Sequence, residues 1–278
     1  MITRESPAKV NLYLRVLRKR EDGYHDILSL MQRISLCDEM TFASTDGGIA
    51  IRCPGTDLPE DQGNIVYRAA TAFFSRIGAP PEIRITIQKR IPIGAGLGGG
   101  SSNAATTLMT LNEMHGSPLA RGELMKIGAG IGADVPFFVF GKTAWASGIG
   151  DLLTEAPFLP PLWFVLINPG FEISTKMVYQ GLNLGLTKHR IKYSIPRFYA
   201  AEDLIRGLLN DLEKVTLQIH PVLDQIKTFL LENGARGALM SGSGPTVFGI
   251  FTDEKSACRA EENWGQRTGW RVFRAKSL

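Results

Sequence analysis

Cysteine is scarce in this chain. Its 278 residues include three, Cys37, Cys53 and Cys258, odd in number, far apart and in no C-x-x-C arrangement. That argues against a disulfide scaffold and a cysteine-built metal centre, and a reducing cytoplasm is the expected compartment. Long apolar runs are missing as well, since no stretch approaches the ~20 residues that a membrane-spanning helix needs. The opening residues, Met1-Ile2-Thr3-Arg4-Glu5-Ser6-Pro7, carry charges where a secretory signal needs an apolar core, so neither export nor a membrane is expected. Histidine is limited to four positions. His115, His189 and His220 have no metal-ligand spacing, and neither an H-E-x-x-H nor an EF-hand pattern occurs, so no resident metal site can be named. Charge of one sign is weak: 31 basic and 27 acidic residues leave a net +4. This is too mild for a nucleic-acid groove and suits an anionic small molecule. Basic clusters at residues 15–20 and 188–192 read as solvated surface.

The composition, 44% hydrophobic and 21% charged, is that of an ordinary globular protein. At roughly 100–200 residues per domain, two domains are expected. The proline-dense run Pro157-Phe158-Leu159-Pro160-Pro161 marks the expected boundary, giving lobes 1–157 and 158–278. Val10, Leu12, Leu14 and Val16 alternate against Lys9, Asn11, Tyr13 and Arg15, which predicts a strand with Lys9 and Asn11 on one face. Short strands are expected at 29–36, 40–43 and 49–53. Asn64 reads as the cap of a helix that turns Ile65, Ala69, Ala72 and Phe73 inward. Alternation at 83–89 predicts a strand that ends before Pro92, and Ala104, Leu108 and Leu111 at i, i+4 and i+7 predict a helix. Beyond the boundary, strands are expected at 163–167, 238–240, 247–251 and 270–274, and helices at 201–212, from Val222 to Leu230 and from Glu254. That order suggests a split β-α-β layer. The expected class is α+β in two lobes.

Glycine is abundant, at 30 residues, and unevenly placed. It is concentrated in Pro92-Ile93-Gly94-Ala95-Gly96-Leu97-Gly98-Gly99-Gly100-Ser101-Ser102, between a predicted strand and a predicted helix. Glycines let backbone N–H groups converge on a ligand, and a helix N-terminus adds unpaired N–H groups and the positive end of its dipole. Such a loop suits phosphate. Ser101, Ser102 or Asn103 can cap the helix or donate to a phosphate oxygen. No lysine follows the glycines, so this is not a Walker A loop. A dinucleotide fold would place its G-x-G-x-x-G in the first βα turn, with an acidic residue about 20 positions on, and neither condition holds. The H-R-D, D-F-G and V-A-I-K elements of protein kinases are missing.

The same loop, together with Ser6-Pro7-Ala8-Lys9-Val10-Asn11-Leu12 and Met240-Ser241-Gly242-Ser243-Gly244-Pro245-Thr246, resembles the three motifs of the GHMP kinases, in order and across essentially the whole chain. Arg20-Glu21-Asp22-Gly23-Tyr24-His25 and Gly132-Ala133-Asp134-Val135-Pro136-Phe137-Phe138 resemble the signatures of the branch that acts on a cytidylyl-methylerythritol in the non-mevalonate isoprenoid route. The resemblance implies an N-terminal lobe like ribosomal protein S5 domain 2 and a ferredoxin-like C-terminal lobe. It also implies transfer of the γ-phosphoryl of ATP to the substrate's 2-hydroxyl, with magnesium arriving on ATP and Ser102 or Asp134 as groups able to reach it. By motif match, Lys9 and Asp134 take the catalytic positions, Pro92 to Ser102 the ATP loop, and Tyr24, His25 and Tyr179 the cytosine pocket. Asn11 and Thr175 are placed on the same substrate. Another GHMP kinase, for homoserine or mevalonate, is the alternative, and an RNA-binding S5-like module a more distant one. No protein partner is implied.

Overall fold

The computed structural model describes residues 1–156, 159–182, 194–198, 200–264 and 269–278. In chain order the first elements are β1 (Ile2–Lys19), β2 (His25–Ser44), β3 (Gly48–Arg52), α1 (Ile65–Ile77), β4 (Glu82–Gln88), α2 (Gly99–Met114), α3 (Arg121–Ala129), α4 (Val135–Phe140), β5 (Ala144–Gly148) and β6 (Leu152–Glu155). There follow β7 (Trp163–Asn168), α5 (Thr175–Gln180), α6 (Ala201–Arg206), β8 (Leu209–Asn210), α7 (Asp211–Ile219), α8 (Val222–Glu232), β9 (Gly237–Met240), β10 (Val247–Phe251), α9 (Glu254–Trp264) and β11 (Arg271–Lys276). The basic cluster at 188–192 and Pro157-Phe158 lie outside the described residues.

Two compact units are drawn from interleaved segments. The first comprises Met1–Ala8, Cys37–Ile91 and Gly98–Lys142, and the second comprises Lys9–Leu36, Pro92–Leu97 and Thr143–Leu278.

In the first unit β4 pairs antiparallel with the end of β2, from Glu39↔Gln88 to Ser44↔Ile83, and parallel with β3. Asn64 caps α1 as expected, its side chain accepting from the Val66 N–H. The buried face of that helix carries Val66, Ala69, Ala70, Phe73 and Phe74, one residue round from the predicted stripe. Helix α2 is enclosed on nearly every side: Ala104, Leu108 and Leu111 are fully buried, and so are Ser102 and Thr107. An amphipathic stripe therefore understates how central this helix is.

The second unit holds a four-stranded antiparallel sheet in the order β11-β7-β10-β9. With α8 leading into β9 and α9 into β11, this is the split β-α-β arrangement that the sequence predicts. Val165, Ile167, Leu223, Ile226, Leu230, Val247 and Trp264 form the core beneath it. The same unit contains the parallel pair β1–β8 (Tyr13↔Leu209) and the antiparallel pair β2–β5 (Leu30↔Trp145). No helix among the described residues is long and apolar enough to cross a membrane.

Two expectations need correction. The strands predicted at 29–36 and 40–43 are one strand, β2. Asp38, between the two expected segments, is fully buried and accepts from two backbone N–H groups. The helix predicted over 201–212 stops at Arg206, and β8 follows before Asn210 caps α7 through the Leu212 N–H.

Candidate active site

The first unit presents the helix end of the glycine loop. Gly98 is the N-cap of α2, in the left-handed region at φ +69°, so Gly99, Gly100 and Ser101 occupy the first turn. Amides in a first turn have no acceptor within their helix, and they point along the axis at the positive end of its dipole. The serines are therefore not caps, contrary to one sequence reading. Ser101 is half-buried, whereas Ser102 is fully buried and accepts from the Ser6 hydroxyl at 2.8 Å. A Cβ on Gly99 would lie 2.9 Å from Ile91 Cγ2, so this glycine is also a packing requirement.

The turn ahead of α4 adjoins that helix end, since a Cβ on Gly132 would sit 3.7 Å from Ser101 Oγ. Asp134, two residues on, occupies the N-cap position of α4, half-buried, and its side chain makes no capping hydrogen bond. A purely structural capping role is thus unsupported. Among the described residues, no group of three or more His, Cys, Asp or Glu is arranged to hold a metal ion.

The second unit carries Lys9. β1 is covered on both faces here, so Lys9 is 4% exposed. Its ammonium donates to Asn11 Oδ1 at 2.6 Å and to the Gly96 carbonyl at 3.0 Å. The strand pattern places Lys9 and Asn11 on one face, and they meet there. Asn11 is oriented in turn by donating to Ser29 Oγ at 2.8 Å, which donates to the Tyr13 carbonyl at 2.8 Å. The Lys9 N–H also donates to the Leu97 carbonyl at 2.9 Å, tying β1 to the loop.

The β9–β10 turn packs against the same residues. Ser241 Oγ donates to the Gly96 carbonyl at 2.9 Å. Gly96 sits at φ +76°, and any Cβ there would lie 2.1 Å from the Ser241 carbonyl oxygen, so no other residue fits. A Cβ on Gly242 would lie 3.5 Å from both Lys9 Nζ and Asn11 Oδ1. Asn210 braces the turn by donating to the Met240 and Gly242 carbonyls. Ser243 Oγ pairs with Thr175 Oγ1 at 2.8 Å, which brings the predicted substrate residue Thr175 to this turn.

His25 and Tyr179 also come together in the second unit, with ring centroids 4.9 Å apart and planes inclined at 32°. Burial, with a smaller contribution from the Lys19 charge, holds the His25 imidazole below its ordinary pKa and therefore neutral at pH 7. Tyr24 beside it is 61% exposed, on a turn where the Arg20 N–H donates to the Tyr24 carbonyl. Ser29 and Asn210 escape a reading of motifs, and Ser241 lies in the third motif without a role assigned to it there. Small polar residues of this kind carry no distinctive spacing, and only their bonds to site residues reveal them.

Residues 64–142 match the description GHMP kinases N terminal domain, and residues 195–269 match GHMP kinases C terminal. The 4-diphosphocytidyl-2-C-methyl-D-erythritol kinase of Syntrophus aciditrophicus is 59% identical over 273 residues, which is 98% of either chain. The chain belongs to this family of GHMP kinases. A second such kinase, from Syntrophotalea carbinolica, is 53% identical over 96% of each chain. The solved structure of a 4-(cytidine 5'-diphospho)-2C-methyl-D-erythritol kinase matches at a TM-score of 0.84 and 34% identity over 99% of both chains. A homoserine kinase from Cytophaga hutchinsonii matches at 0.74 but 18% identity, which speaks for the GHMP fold alone. As a GHMP kinase, this chain is a phosphotransferase whose cosubstrate is ATP, and its α+β architecture is that of the family.

Proposed function

We propose that this kinase transfers the γ-phosphoryl group of ATP to the 2-hydroxyl of 4-diphosphocytidyl-2-C-methyl-D-erythritol, a step in isoprenoid precursor synthesis. The observation that carries the substrate assignment is the His25–Tyr179 pair, two flat rings inclined to one another beside an exposed Tyr24. Neither homoserine nor mevalonate carries a base that would use such a surface. A neutral imidazole can accept as well as donate, which suits the edge of cytosine. Thr175 and Asn11 then contact the remainder of the substrate.

Phosphoryl transfer asks the protein chiefly for position and for stabilisation of spread negative charge. The loop from Pro92 to Ser102 supplies backbone N–H groups to the ATP phosphates. Lys9, aimed by Asn11 and Gly96, offsets charge on the transferring group. Asp134 orients the 2-hydroxyl and takes its proton as the new P–O bond forms and the bond to the β-phosphate oxygen breaks, leaving ADP. Magnesium brought by ATP would supply further charge neutralisation when bound. Of the two protein groups offered for it, Ser102 is fully buried against Ser6, which leaves Asp134. The expected setting is the cytoplasm.

The direct test is ADP release with magnesium-ATP against the cytidylyl substrate, homoserine and mevalonate. Turnover with the cytidylyl compound alone is expected. Phosphorylation of homoserine or mevalonate in its place would overturn the assignment.

A further inference from the structure

A buried carboxylate holds the residues that flank the glycine loop, and the mechanism above does not use it. Asp38 is in the middle of β2 and fully buried. One of its oxygens accepts from the backbone N–H groups of Arg90, at 2.8 Å, and Ile91, at 2.9 Å. The other accepts from Lys89 Nζ and, at 3.0 Å, from Asn103 Nδ2. Lys89 donates also to Asn103 Oδ1 at 3.2 Å, and Asn103 donates to Ser6 Oγ at 2.9 Å. Ser6 in turn holds Ser102.

Arg90 and Ile91 are the last residues before the loop, and Asn103 is the first after it. One carboxylate thus grips both ends of residues 92–102. A run of glycines is costly to order, because each has wide backbone freedom to lose. Fixing the two stems beforehand removes much of that cost from the ligand, and it sets where the first-turn amides of α2 point. A fully buried carboxylate at mid-strand is an expensive way to stabilise a sheet when an apolar side chain would serve. Its cost is explained if it acts on the loop.

We propose that Asp38 is a positioning residue for ATP, a buried clamp that preorganises the phosphate loop through Arg90, Ile91 and Asn103. The inference rests on reading that loop as the ATP site. Asp38→Asn keeps the shape but turns an NH₂ group onto existing donors, whichever way the amide faces. Asn103→Ala removes the far tie, together with the Asn103 bonds to Lys89 and Ser6, and leaves the Lys89–Asp38 pair whole, so it stays informative if the first variant fails to fold.

The experiment is calorimetric titration of both variants with a non-hydrolysable ATP analogue and with CDP, alongside thermal melts to establish folding. Loss of one or two charge-assisted hydrogen bonds predicts that analogue affinity falls by about tenfold or more in Asp38→Asn and by about threefold to tenfold in Asn103→Ala, with CDP affinity changed by less than about twofold. A residue that only stabilised the fold would weaken both ligands alike. Unchanged analogue affinity in the folded variants, or equal loss of both ligands, overturns the clamp. Gly98→Val separates the two readings. If it abolishes analogue binding while the clamp variants retain it, the clamp alone fails, and if it too binds normally, the loop is not the ATP site.

Discussion

Lys9 is 4% exposed and the side chain of Lys89 7%, and the carboxylate of Asp38 marks the second of them. Lys89 faces the carboxylate of Asp38 and the amide of Asn103. Lys9 donates to two neutral oxygens, those of Asn11 and Gly96, each fixed by a further hydrogen bond of its own residue. The Asn11 and Gly96 oxygens help to aim the Lys9 ammonium, whereas at Lys89 the Asp38 carboxylate engages the charge beside the backbone stems of the loop. On the proposed mechanism, Lys9 meets phosphate and Lys89 braces the backbone that does so.

The comparison breaks most visibly in turnover. Asp134→Asn and Lys9→Met should each lower kcat by about 10²–10⁴-fold with modest changes in either KM, and the double variant should be little worse than the poorer single one. Steady-state kinetics on all three checks this. Near-normal turnover in Asp134→Asn would remove the proton-accepting role.

The second lysine should fail in the opposite sense. Lys89→Met strands a buried carboxylate and should cost about 3–5 kcal/mol of stability, and adding Asp38→Leu should not restore it, because the Arg90 and Ile91 N–H groups and Asn103 then lose their acceptor. Urea unfolding reads both. If Lys9→Met proved the more destabilising of the two lysine variants, the distinction would collapse.

A smaller effect is expected on the substrate side. Tyr179→Ala removes one stacking face and should raise KM for the cytidylyl substrate by about five- to 150-fold, from a loss of ~1–3 kcal/mol, and leave KM for ATP nearly alone. A rise in the ATP KM instead would move Tyr179 to the other ligand.

The smallest effect concerns pH. His25 has a folded pKa below its ordinary value of about 6.5, so between the two values the unfolded chain binds more proton than the folded one. Stability contributed here is complete above about pH 6.5 and is lost as pH falls through the folded value. Unfolding curves across that window should show a slope that His25→Gln reduces. An unchanged slope would mean that the ring is not held neutral.

Much of this was legible along the chain, and the failures share a cause. The glycine loop, the Asn64 cap, the apolar spacing of α2 and the split β-α-β order are local patterns, and the structure has each of them. The expected break between residues 36 and 40 contains Asp38, whose side chain is buried within one continuous strand. The fitness of that carboxylate for the interior depends on Lys89, Asn103 and two amides that follow long after it. Ser102 was read as a cap or a phosphate donor, but its outcome turns on Ser6.

By itself, the sequence determined where backbone must turn, which stripes must be covered and that a loop of unpaired amides would precede a helix, because these follow from steric freedom and periodicity within a few residues. Tertiary structure decided which polar groups the interior accepts. It set Asp38 beneath the loop stems, aimed Lys9 between Asn11 and Gly96, and brought His25 onto Tyr179. A buried polar side chain is tolerable only when its partners arrive, and those partners lie far away along the chain.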